Sequence, residues 1–229
     1  DKLLLAKASC MGINCMIEPQ NPFANKELTT EERIVLRAER EANIEAEKNG
    51  GIPTKHSLIK LRKAYDDAGN DFKAAETLEQ QNEIYPNPED YNLIGVYYHN
   101  SGNKDKAVEF FERAIEHNPN DYWPNFNLGN TLFYKDPQRA RKHLNKAYEL
   151  YPSEPCINIL LGRLDKNEGK TVEAKEKFQI AYDKYEQRWK ANSLSDTDYD
   201  WFASVAEELG KRDKAYEIRR AKPKTEKTS

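Results

Sequence analysis

At 229 residues the chain is long enough for one or two domains, and with a third of its residues charged but a formal net charge of only −3 it presents interleaved solvated faces, with no basic field for nucleic acid. Its apolar runs fall far short of the roughly 20 residues needed to cross a bilayer, and nothing resembles a complete signal peptide. Three cysteines, Cys10, Cys15 and Cys156, leave at least one thiol unpaired, which favours a reducing compartment and places the protein in the cytoplasm.

The first segment, residues 1–28, reads as β or extended. Leu3 to Ala8 and Asn14 to Glu18 have the character of two short strands separated by Cys10-Met11-Gly12, and Pro19, Asn21, Pro22 and Asn25 mark an extended stretch. The start at Asp1 without a methionine, running straight into Leu3-Leu4-Leu5-Ala6, suggests a piece of a longer protein whose upstream domain is absent. Residues 29–50 then read as one charged linker helix. Thr29 and Glu32 have capping-box spacing, an Ala-, Glu- and Arg-rich run continues to Lys48, and Gly50-Gly51 ends it. A single charged helix of that length needs something to pack against.

From Lys55 the sequence repeats at a period of about 34 residues. The clearest unit starts at Pro88 and carries Tyr91, Ile94, Gly95 and Tyr98, then Gly102, Ala107, Phe111, Ala114 and Pro119. Each residue type has a packing reason. Gly95 and Ala107 let two antiparallel helices approach, the aromatic residues fill the space between them, Gly102 permits the turn, and Pro119 begins the break to the next unit. One period on, Leu128, Gly129, Leu132, Ala140, Leu144, Ala147 and Pro152 keep the frame if one residue is deleted at the Lys135-Asp136 turn. Leu161, Gly162, Gly169, Ala174, Phe178 and Ala181 keep it again. A weaker unit precedes these (Leu58, Leu61, Tyr65, Gly69, Ala74, Leu78, Pro86), with Arg62 and Gln81 where a small residue is usual. A truncated one follows (Tyr199, Phe202, Ala203, Gly210, Ala215). Thr171 to about Ala191 lacks Gly and Pro and reads as one long helix.

These offsets resemble the tetratricopeptide repeat family. The resemblance implies an all-α, right-handed superhelix of about five helical hairpins over residues 55–221; the residues themselves add the short N-terminal β/extended segment, the one long helix and, from its Lys, Thr, Pro and Glu, a disordered tail at 222–229. It also implies a concave face lined by set positions of each first helix, which in the three central units select Asn92, Val96 and His99; Trp123, Phe126, Asn130, Phe133 and Tyr134; and Ile159 and Arg163. Aromatic side chains offer contact area at little rotamer cost, while Asn and Arg can pair with a peptide backbone or carboxylate. Phe126, Phe133 and Tyr134 are equally suited to packing between hairpins. The carboxylate clamp of some tetratricopeptide co-chaperones is not expected, because its Lys and Asn positions hold Asn92 and Val96, and its third unit presents Cys156 and Leu160.

A second resemblance covers the first fifty residues. Asp1 to Ala8 looks like the last strands of the substrate-binding β-domain of 70-kDa heat-shock chaperones, and Leu28-Thr29-Thr30-Glu31-Glu32-Arg33 with Arg37-Ala38-Glu39-Arg40-Glu41 is similar to the start of that family's lid helix. Lys2 and the Cys10 to Met16 stretch depart from the pattern. It implies a chaperone-linked setting and carries over no functional residue.

Catalytic and phosphate-binding motifs are missing from the sequence, and the four histidines (His56, His99, His117, His143) read as packing or surface residues. The pair Cys10 and Cys15 lacks further ligands for a metal. The expectation is a non-enzymatic module, without cofactor or metal, that binds a protein or peptide in its groove. The alternative is a structural or oligomerisation scaffold that self-associates or docks onto the missing N-terminal region.

Overall fold

A computed structural model describes residues 28–223, so the expected strands of residues 1–27 and the end of the tail lie outside the described residues. Among the described residues there are eleven α-helices and no strand. They are α1 (Thr30–Lys48), α2 (Lys55–Asp67), α3 (Asp71–Ile84), α4 (Tyr91–Asn100), α5 (Lys104–His117), α6 (Tyr122–Leu132), α7 (Pro137–Leu150), α8 (Pro155–Asn167), α9 (Thr171–Lys190), α10 (Asp196–Glu208) and α11 (Arg212–Ala221), with a 3₁₀ turn at Pro88–Asp90 leading into α4. The fold is an all-α right-handed superhelix of hairpins. Helices α2/α3, α4/α5, α6/α7, α8/α9 and α10/α11 pair as hairpins, and each hairpin packs on the next.

Helix starts follow local chemistry. Side chains of Thr54, Asn70, Asn103, Asp121 and Asp136 each accept a hydrogen bond from a first-turn amide, which supplies partners for N–H groups the helix itself cannot satisfy. Thr29 and Ser195 form full capping boxes with Glu32 and Asp198. Within the three central hairpins, close approach is set by one glycine in the first helix. A Cβ on Gly95 would sit 2.6 Å from the Phe111 ring, and on Gly129 and Gly162 it would come within 2.7 Å of Leu144 and Phe178. The period in the sequence is therefore the period of these contacts.

Two departures from the regular repeat matter. Helix α1 lies along α2, burying Ala42, with Tyr65 donating a hydrogen bond to Glu39 and the Thr54 hydroxyl donating to Glu45 at 2.7 Å. Helix α9 runs to 20 residues where α3, α5 and α7 have 14. Its surplus end carries Tyr185, stacked on Phe202 at 5.8 Å, and Trp189, edge-on to Tyr199 and Phe202. Those extra turns carry aromatic rings on which α10 packs. The unusual Arg62 is accommodated by donating from Nη1 to the Tyr97 hydroxyl at 3.0 Å.

Candidate functional site

Six helices line a groove of about 500 Å³, α5 through the Phe111 ring alone. Helix α4 contributes Val96, His99 and Asn100, and α6 contributes Trp123, Phe126, Asn127 and Asn130. The start of α8 brings Glu154 and Cys156, the end of α9 brings Tyr185 and Arg188, and the start of α10 brings Ser195, Thr197, Asp198 and Trp201.

One wall is aromatic. Trp123, 46% exposed, meets Phe126 edge-on at 6.1 Å, and Phe126 meets Trp201 edge-on at 6.4 Å. Asp121 caps the amide of Trp123 at 2.9 Å, and Tyr122 packs on both Trp123 and Tyr151, so the ring is held in place at the start of α6. The facing polar groups divide into engaged and unengaged. Asn127 donates to Asn92 at 3.0 Å. Thr131 donates to the Asn127 carbonyl at 2.7 Å, so its hydroxyl accepts from Nδ1 of His99 at 2.9 Å and leaves Nε2 as an acceptor. Burial, then the nearby Lys104, lowers the pKa of His99 and keeps the ring neutral. Asn100 and Asn130 make no side-chain hydrogen bond to the described residues.

At the other end Arg188 joins three elements. It reaches Glu154 at 3.1 Å and Asp198 at 3.4 Å, and both carboxylates are 13% exposed. Burial works against its charge, but these two carboxylates outweigh that and raise its pKa. Beside it the Tyr185 hydroxyl is buried with no hydrogen-bond partner. Burial, and then neighbouring negative groups, push the pKa of this phenol well up, so it remains a donor. The same two causes push up the Cys156 thiol, which suits a small apolar residue and not a nucleophile. No cluster of potential metal ligands occurs among the described residues.

Of the side chains singled out from the sequence, the structure brings Val96, His99, Trp123, Phe126 and Asn130 together in this groove, with Asn92 behind Asn127. The others stand elsewhere. Phe133 is buried against α8 residues, and Tyr134 is 86% exposed in the α6–α7 turn. Ile159 is fully buried in the cluster formed with α9 and α10. Arg163 donates to Glu208 at 3.1 Å and to Ser204, so it ties α8 to α10. Offsets within first helices could not identify Tyr185, Arg188 or Trp201, because Tyr185 and Arg188 come from the last turns of the overlong α9 and Trp201 from a position of α10 outside the groove offsets. The one available signal was the length of the uninterrupted run from Thr171.

Residues 88–121, the unit of α4 and α5, match the family model of the tetratricopeptide repeat. The rest of the array shares its architecture. The crystal structure of MamA superposes with a TM-score of 0.57 at 20% identity, over 72% of this chain and 99% of that one. MamA 41-end from Desulfovibrio magneticus RS-1 gives 0.53 at 17% identity, over 72% and 91%, and MamA AMB-1 gives 0.54 at 20%, over 70% and 99%. At such identities the likeness is one of fold.

Proposed function

We propose that the chain is a non-catalytic protein-interaction module that takes a polypeptide segment in the groove between α4, α6, α9 and α10. The observation that carries this reading is the pairing, in one concave cavity, of an aromatic wall with unengaged amides. Trp123 leaves nearly half its surface in solvent, and Asn100 and Asn130 have hydrogen-bonding capacity unused by the fold. Aromatic anchors beside groups able to pair with peptide bonds are what an extended ligand requires. Pull-down of binding proteins by the wild-type chain, compared with Trp123→Ala and Asn130→Ala, tests it: both substitutions should reduce capture. Equal capture by all three would remove the groove from the account.

A scaffold role has its own support in the apolar side chains that α1 leaves in solvent, Ile34, Leu36 and Ile44. Docking through that helix would be lost in Leu36→Glu and untouched by the groove substitutions. A chaperone-linked setting rests on the sequence resemblance of residues 1–8 and 28–41 alone. No described helix is long and apolar enough to cross a membrane.

A further inference from the structure

The charged and buried groups at the inner end of the groove narrow the chemistry of its occupant. Three charged side chains line it, the carboxylates of Glu154 and Asp198 and the single guanidinium of Arg188 that serves both. The balance is one negative charge, in a partly buried setting where water screens little. A ligand carboxylate or phosphate would therefore meet a guanidinium already engaged on two sides and an unfavourable field. Next to this ion group lies the Tyr185 hydroxyl, fully buried and unpartnered. A buried hydroxyl left without a partner is costly to the fold, and here it borders a cavity large enough to supply one. What it lacks is a neutral acceptor. Along the same wall Trp123, Phe126 and Trp201 surround apolar space, and the Asn130 and Asn100 amides continue outward towards α4.

We infer that the groove selects an extended peptide segment of neutral or basic character, whose apolar side chain sits among Trp123, Phe126 and Trp201 while an adjacent backbone carbonyl accepts a hydrogen bond from Tyr185. This rests on the peptide-binding reading above and adds the chemistry of the ligand to it. Tyr185 serves recognition and not folding, because its ring packs on Phe202 whether or not the hydroxyl is present.

The test uses the full chain and capped decapeptides of Gly, Ser and Thr with one central Leu or Phe, flanked by nothing, by two Lys or by two Glu, with affinity followed by titration calorimetry. The Leu and Phe peptides should bind, the Lys-flanked ones tightest, and the Glu-flanked ones about tenfold or more weaker than those. Tyr185→Phe should weaken binding about fivefold, the worth of one hydrogen bond, while its thermal midpoint stays at or above that of the wild type. Trp201→Ala should abolish binding. Equal or tighter binding of the Glu-flanked peptides, or unchanged affinity in Tyr185→Phe, would overturn the inferred chemistry and leave the groove reading standing. Failure of every peptide to bind would overturn both.

Discussion

Asp165 is 4% exposed in its side chain and holds two cations, Arg141 at 2.8 Å and Lys177 at 2.6 Å, so one carboxylate fastens α8 to α7 and α9. Burial raises its pKa, but the Lys177 and Arg141 cations beside it outweigh that and leave it below the ordinary 3.8. A carboxyl whose folded pKa is depressed contributes stability that is fully present above its unfolded value and is lost as pH falls through the folded one. The array should therefore keep this contribution at neutral pH and begin to lose it below about pH 4, and Asp165→Asn should flatten that part of the acid profile while costing about 2 kcal/mol at pH 7. Urea unfolding at pH 7 and pH 3 checks both. Glycine makes a second prediction at this scale. At Gly162 an added Cβ would lie 2.7 Å from the Phe178 ring and 3.2 Å from the Ala174 carbonyl oxygen. Gly162→Ala should therefore destabilise by about 1 to 3 kcal/mol through overpacking, although alanine is the better helix former. A neutral or stabilising result in chemical denaturation would mean the α8–α9 interface is looser than its geometry.

Among the elements, α9 decides the shape of the groove. Its last turns carry Arg188 between Glu154 at the start of α8 and Asp198 at the start of α10, so Arg188→Leu would leave two partly buried carboxylates facing each other without their cation. We expect faster amide hydrogen exchange across residues 196–221, with α2 to α5 unchanged, because neighbouring hairpins contact mainly one another. Uniform protection in the variant would assign the docking of α10 to its apolar contacts instead. The hairpins themselves were legible in the sequence, since Gly95, Gly129 and Gly162 and their large partners Phe111, Leu144 and Phe178 recur at the same offset, one residue shorter in the middle hairpin, as close helix packing demands. The groove was half legible. Residues on α4 and α6 follow the repeat offsets, whereas Trp201 and Tyr185 arrive through a length anomaly whose three-dimensional consequence no offset encodes. Ile159 and Arg163 occupy groove offsets, but the last hairpin engages them through Phe202 and Glu208.

For the whole molecule, the net charge of −3 and the ion group at Arg188 argue for the same class of partner. Capped or basic segments suit the groove, and a free chaperone-type C-terminal carboxylate does not, since the clamp positions hold Asn92, Val96, Cys156 and Leu160 and the nearest guanidinium is engaged. Peptides ending in a free acidic C-terminus should thus bind no better than the same peptides amidated, in the same calorimetric assay. Whether the superhelix receives a polypeptide at the Trp123–Phe126–Trp201 wall can be measured by tryptophan-quenching titration of the full chain with a capped Lys-flanked Leu peptide in wild type, Trp201→Ala and Tyr134→Ala. Tyr134 is the surface control, being 86% exposed in a turn away from the groove. Binding should be saturable in the wild type and in Tyr134→Ala and absent in Trp201→Ala; equal binding in all three would place the ligand elsewhere or remove it.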